Sequence, residues 1–414
     1  MKINKYSVLI FMFSISILIG QYLKYVSKIG SLFIILFSLC YIGKKGKLNK
    51  GLYSNHIFGL IFILIIGIVI SYIYFKQSIV RCCVILLPLF TSLFFYNVLV
   101  DLVKIGKIQS KDIKKIIVSL SIICVFLFSY QYFLGEDHII FLVHVGHRNN
   151  RVRFYFQNIG IVLGVCLLFS DYIETKHLRM STSNKILLYK ICSIAFIIFS
   201  LFEIAYMQNY RLATLGLLAS MFSVYIISRK SWKKLFLIAI SIPLIIVIFA
   251  NNAELQSMYN SFINGTGSFT TRKMAIPFYF KQLNNHWIFG NGYVVNDYPY
   301  NYAALAAGYS KNILLNDNGI FGFLYMYGIS GIVWFVCTWW KMFSVAIFLL
   351  KKQKKFGSLI FLFYTLFTLR NEIHWFWNYG MIVLVLFFVY LDAEISEYKK
   401  GKKQYYVQIN GLYR

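Results

Sequence analysis

Apolar stretches separated by short polar connections recur along this chain from one end to the other. They predict twelve helical spans, at 6–19, 29–42, 57–75, 79–103, 113–134, 154–170, 186–206, 212–228, 235–250, 319–340, 356–369 and 375–391. A helix needs about twenty residues to cross roughly 30 Å of hydrocarbon, so the first two spans and the eleventh are expected to extend into their flanks. Alternating segments of about ten residues, the mark of a membrane β-barrel, are missing. The pattern breaks once, over 251–318, where the polar residues and most of the turn signals gather. The expected organisation is a bundle of about nine spans (1–250), a large loop (251–318) with a short interfacial helix, the last spans (319–393), and a polar tail (394–414) that lies on the surface or is disordered. The fold class is all-α, a polytopic integral membrane protein with one large extracytoplasmic loop.

Composition agrees with the pattern. Hydrophobic residues make up 59% of the 414, and charged residues only 14%. That excludes the two or three soluble domains such a length would otherwise suggest. The net charge of +28 raises nucleic acid as a partner. The cations, however, sit in clusters between apolar spans, as cytoplasmic loops do, and nucleic acid is excluded. The seven cysteines lie in or beside apolar stretches without ligand spacing to histidine, and read as small hydrophobes. Segment 6–19 is followed by Gln21-Tyr22-Leu23-Lys24 rather than a small-residue cleavage site, so it reads as a span and not as a signal peptide.

Loop charge sets the orientation. With the N-terminus inside, 29 of the 42 lysines and arginines fall on inner segments. This bias predicts an even number of spans, both termini in the cytoplasm, and 251–318 outside. The inner cations are mostly lysine, whereas the outer ones include Arg148, Arg151, Arg153, Arg211, Arg272 and Arg370. Lysine suffices where only charge is needed. Arginine's planar fork can hold a phosphate through two hydrogen bonds at once.

Each outer cluster has a functional reading and a structural one. Arg272 opens a run in which cations and aromatics alternate at helical spacing as far as Leu283, kinked at Pro277. This is either an interfacial helix resting on anionic lipid or a phosphate ligand. His286-Trp287-Ile288-Phe289-Gly290-Asn291-Gly292 reads as a turn back towards the membrane. Arg211 falls in a very short connection, with Glu203 one to two turns earlier at a depth where a lone carboxylate is costly. Either the two form an ion pair, or Glu203 fixes a phosphate-binding Arg211. Arg148, Arg151 and Arg153 stand at the start of the sixth span, with Arg153 at headgroup depth. Arg370 and Glu372 form another rim cluster. Asp317 either caps the following helix or acts in catalysis. No Asp-x-Asp pair in the outer segments, no His-x-x-x-His and no phosphate-cradling glycine loop is present, so neither a metal nor another cofactor is implied. An outer-face reaction without nucleotide supply must draw on an activated lipid.

At these residues the chain resembles the Wzy-like polysaccharide polymerases, the group that also includes the O-antigen ligases. Arg153-Phe154-Tyr155-Phe156-Gln157-Asn158 is similar to the family's arginine before an aromatic, Asn-rich span start. Tyr210-Arg211-Leu212-Ala213 is similar to its Ser-Arg-small motif, with Tyr210 in place of the usual small residue. Arg272, Ile288–Gly292, Asp317–Gly322 and Tyr327–Gly331 resemble the large loop and its exit. Asn316-Asp317 stands where the ligase branch has a histidine, which favours a polymerase.

The resemblance implies polymerisation of undecaprenyl-pyrophosphate-linked oligosaccharide units at the outer face of a bacterial plasma membrane. The implied partners are that lipid-linked sugar, membrane lipid, and a flippase and chain-length regulator of the same pathway. Arg211 and Arg272, with Arg153 and Arg370 as further pyrophosphate ligands, would neutralise the departing diphosphate. Asp317, Glu372 and His286, in that order, are the expected bases for the acceptor hydroxyl. The alternatives are a lipid-linked oligosaccharide flippase or exporter, and a ligase.

Overall fold

Every residue from Met381 to Ile395 is buried in the computed structural model. A helix apolar on all sides must sit inside a bundle, and the other spans are arranged around this one. The structure describes residues 4–23, 25–136, 138–141, 145–148, 151–177, 184–208, 210–229, 256, 260, 268–283, 286–293, 318–370 and 380–412.

The described elements are α1 (Lys5–Leu18), α2 (Val26–Lys45), α3 (Ser54–Phe75), α4 (Ile79–Lys104), α5 (Ser110–Leu134), β1 (Val145–Arg148), β2 (Arg151–Phe154), α6 (Ile159–His177), α7 (Asn184–Phe202), α8 (Arg211–Ile227), α9 (Ser268–Gln282), α10 (Gly319–Gln353), α11 (Gly357–Thr368) and α12 (Met381–Leu412). A single 3₁₀ turn, Gly20–Tyr22, extends α1, and a π-helical turn, Glu203–Met207, extends α7. Seven helices among the described residues are long and apolar enough to cross a membrane. The protein is a multi-pass helical membrane protein.

Helix α12 packs on α4, α5, α1 and α6, and the pairs α5/α6, α8/α11 and α3/α10 close the bundle around it. Outward-facing rows stay apolar. On α3, Phe58, Phe62, Ile65 and Val69 are exposed at helical spacing, and on α7, Leu187, Ile191, Ile194 and Ile198. Continuous stripes of this kind would be costly in water and suit hydrocarbon.

The two ends of the bundle differ in chemistry. At one end lysines meet carboxylates, of which Asp101 and Glu394 are buried. Asp101 pairs with Lys45, and also accepts from Tyr41 OH at 2.7 Å and from the Asn49 backbone N–H at 3.0 Å. Lys114 pairs with Asp171, Lys355 with Glu394, and Glu397 accepts from the Ser110 N–H at 2.7 Å. The opposite end carries Arg153, Arg211, Arg370 and the described part of the long loop. The paired lysines and the arginines Arg153, Arg211 and Arg370 thus lie at opposite ends.

Several boundaries move. The sixth span starts at Ile159, not 154, because residues 145–154 form an antiparallel hairpin with Val145 opposite Phe154 and Arg148 opposite Arg151. Arg148, Arg151 and Arg153 therefore lie on strands, not at a helix start. The tenth span continues past 340 to Gln353, which puts Lys341 inside a helix. Of the two readings of the tail, disorder does not hold as far as Leu412, because α12 runs unbroken to that residue. The expected ninth span, 235–250, lies outside the described residues, as do most of 251–318 and part of the twelfth span.

Candidate functional site

Arg153 is the best-defined of the outer arginines. Strand geometry puts alternate residues on opposite faces. Phe154 and Phe156 turn inward, where Phe156 stacks on Phe128 at 4.0 Å between ring centroids. Arg153 and Tyr155 fall on the other face. The guanidinium lies 4.2 Å from the Tyr155 ring centroid and 4.4 Å from that of Tyr210. Gly146, opposite Arg153 in the hairpin, leaves the space that the Tyr155 ring needs, since a Cβ there would stand 3.0 Å from it. Arg153 Nε donates to the backbone carbonyl of Gln208 at 2.9 Å. Two aromatic faces and one carbonyl hold the cation without neutralising it. Nη1 also reaches the Tyr155 hydroxyl, at 3.4 Å, so the part of the fork available to an anion is Nη2.

The carbonyl that Arg153 grips is displayed by the π-turn. In a regular α-helix residues i and i+5 lie about 140° apart around the axis. The i→i+5 bond of the π-turn, Gln208 N–H to Glu203 O at 3.0 Å, brings positions 203 and 208 to one side. Gln208 Nε2 then donates to Glu203 Oε1 at 2.6 Å. Glu203 is fully buried, and its Oε2 has no hydrogen-bond partner among the described residues. Of the two readings of Glu203, the ion pair with Arg211 does not form: Glu203 bonds the Gln208 side chain, and the Gln208 main-chain carbonyl holds Arg153. The cause is local: the π-turn aims Glu203 at Gln208.

Arg211 is the first residue of α8, directly after Tyr210. It stands where that helix leaves its first N–H groups without intrahelical partners, a setting that favours anions. Helix α8 packs against α11 through Gly216, where a Cβ would come within 2.9 Å of Thr368 Cγ2. Arg370 lies two residues beyond Thr368, exposed, at the same end of the bundle as Arg211. Next to Arg370, the Leu369 carbonyl accepts from the Ile320 N–H at 3.0 Å, tying this corner to the start of α10. Asn318, the N-cap of α10, donates from Nδ2 to Tyr279 OH of α9 at 3.1 Å. Arg272 lies in α9, one turn before Ala275. The structure therefore joins Arg153 directly to the Gln208–Arg211 connection, and links Arg370, Asn318 and α9 to that corner through successive contacts.

Helix α9 does not simply rest on lipid. Ala275, Tyr279 and Leu283 form a buried stripe, and Tyr279 meets Tyr325 of α10 at 5.1 Å, while Phe280 stays exposed. Pro277 is accommodated within the helix. The expected turn at 286–293 goes deeper than a return to the membrane surface. Helix α10 is broken at Gly328 (φ 60°, ψ −159°), nine residues after Gly319 and so about 13 Å along its axis. The 286–293 segment fills the break. Asn291 and Gly292 donate to the carbonyls of Tyr325 and Met326 at 2.9 Å, and Ile329 and Ser330 donate to Trp287 and Ile288 at 2.8 and 2.9 Å. Broken helices are tolerated at membrane depth only where protein or water repairs the backbone in this way. Gly290 (φ 70°) and Gly328 pack backbone to backbone, and a Cβ on Gly290 would fall 2.6 Å from the Gly328 nitrogen.

His286 is placed by Tyr74 at the end of α3, ring to ring at 4.2 Å. Tyr74 is not among the described partners of Arg153, which are Tyr155, Tyr210 and Gln208. Asp317 and Glu372 lie outside the described residues. Sequence reasoning missed Tyr155, Tyr210 and Gln208 as partners of Arg153. The alternation of Arg153-Phe154-Tyr155-Phe156 was the available signal, and it was absorbed into an apolar span.

No protein-family model and no curated protein matches this chain.

Proposed function

We propose that this protein is a membrane glycosyltransferase of the Wzy type, joining oligosaccharide units carried on undecaprenyl pyrophosphate at the membrane face away from its lysine-rich end. The supporting observation is the arginine corner. Arg153 is held between two tyrosines, one of which, Tyr210, directly precedes Arg211 at a helix start, with Arg370 at the same end and α9, which carries Arg272, tied in through Tyr279. The lysine-rich end faces the cytoplasm of a bacterial cell in this reading.

A hydroxyl of one unit attacks the anomeric carbon of the sugar on the other lipid. The bond from that carbon to the diphosphate oxygen breaks, and lipid pyrophosphate leaves with the bonding pair. Arg153, Arg211 and Arg272 neutralise the charge that grows on it. Fixed donors contribute about 3–4 kcal/mol each in sites of this kind. Asp317 or Glu372 takes the hydroxyl proton, with His286 the less favoured base because Tyr74 holds it.

A deletion strain tests the reading. Gel analysis of surface polysaccharide should show single repeat units exposed outside. Full-length chains left unattached would instead identify a ligase, and units retained on the inner face a flippase.

A further inference from the structure

At the lysine-rich end, α12 and the connection before α3 enclose a cavity of about 390 Å³ lined by Lys50, Gly51, Leu52, Lys104, Asp392, Lys399 and Lys400. Residues 392, 395, 396, 399 and 400 follow helical spacing, so α12 presents one face to it. Four lysines surround the opening, all of them exposed. Three other lysines at this end, Lys45, Lys114 and Lys355, each pair with a carboxylate. Among the described residues, none of the four cavity lysines has such a partner.

Two of them bond to carbonyls instead. Lys104 Nζ donates to the Lys50 carbonyl, and Lys400 Nζ donates to the Lys104 carbonyl at 3.1 Å. Asp392, at the base, is already engaged. It accepts the Leu52 N–H at 2.8 Å on Oδ1 and the Tyr96 hydroxyl on Oδ2. These bonds brace the floor and hold the Lys50-Gly51-Leu52 backbone against α12. The cavity is therefore pre-formed and carries a local excess of positive charge, and its volume suits a small ligand.

We infer that this cavity binds a phosphate-bearing anion, with the headgroup of an anionic phospholipid in the adjacent leaflet as its source. Basic pockets between spans on the side carrying the positive loops are suited to such headgroups. The site lies at the opposite end of the bundle from the arginine corner and does not depend on the proposed transferase reaction.

The test is native mass spectrometry of the full-length protein in detergent. It is titrated with phosphatidylglycerol, with phosphatidylcholine, and separately with glycerol phosphate. The wild type should retain phosphatidylglycerol over phosphatidylcholine. Lys399→Gln/Lys400→Gln should weaken that retention about thirtyfold, from about a factor of five for each lysine near an anionic surface. Lys351→Gln/Lys352→Gln removes the same charge from exposed positions outside the cavity and should leave retention unchanged. Displacement of the lipid by glycerol phosphate would assign the cavity to soluble phosphates, and resistance to it would assign the cavity to lipid. Equal weakening in both double variants, or no preference over phosphatidylcholine, would overturn the site.

Discussion

Arg153 donates from Nε to the main-chain carbonyl of Gln208 across 55 residues of sequence, at 2.9 Å. This bond ties the β-hairpin to the turn that presents Arg211. With the Nη1 contact to Tyr155 OH at 3.4 Å, it commits Nε and Nη1 to structure and leaves Nη2 for a ligand. Arg153→Lys keeps the charge but loses the fork and the stacking on Tyr155 and Tyr210. Turnover of a lipid-linked repeat unit should fall at least about a hundredfold, in line with loss of one fixed donor. Steady-state rates normalised to protein level check this.

Gln208 joins Glu203 to Arg153, so the relay predicts a graded response. Glu203→Gln keeps an acceptor oxygen at the same place and should retain more than half of the activity. Glu203→Ala strips the Gln208 amide of its partner in a buried setting, which costs about 1–3 kcal/mol. Thermal unfolding of the purified variants, compared with their turnover, checks both.

Gly290 and Gly328 should be intolerant for a backbone reason. Both have positive φ, and a Cβ on either meets the other's main chain within 2.6 Å. Gly328→Ala and Gly290→Ala should each lower the yield of folded protein sharply and reduce the melting temperature. Gly43→Ala, where a Cβ would meet nothing within 4 Å, should be harmless. Fluorescence-detected size exclusion and melting curves provide the readout.

Orientation is testable by labelling in a cysteine-free background. Glu136→Cys, just beyond α5, should react with a membrane-impermeant maleimide in intact cells. Lys47→Cys, in the lysine-rich connection after α2, should react only after permeabilisation. The reverse pattern would invert the bundle.

Much of the fold was legible because hydrocarbon imposes a simple rule: long apolar runs become helices, and eleven of the twelve expected spans overlap described helices for most of their length. Helix ends were less legible. Lys341 reads as a loop residue, yet α10 continues to Gln353, since a long helix can carry a cation at its surface without stopping. The hairpin at 145–154 was hidden because strand alternation over four residues looks like any short apolar stretch beside a span. The depth of Gly290-Asn291-Gly292 was also hidden. Local composition marks a turn, but only the tertiary partner, the unwound carbonyls of Tyr325 and Met326, fixes where the turn sits. Asp317 and Glu372 lie outside the described residues, so the base is still named from sequence position alone.

Diphosphate recognition by the arginine corner tests the account most directly. Binding of undecaprenyl-pyrophosphate-linked oligosaccharide and of its monophosphate counterpart would be compared in the wild type, Arg153→Ala, Arg211→Ala and Arg272→Ala. The wild type should hold the pyrophosphate form at least about tenfold more tightly, corresponding to about 1.4 kcal/mol, and each variant should lose most of that preference together with polymer formation. Folded variants that keep the preference and still build long chains would contradict the account.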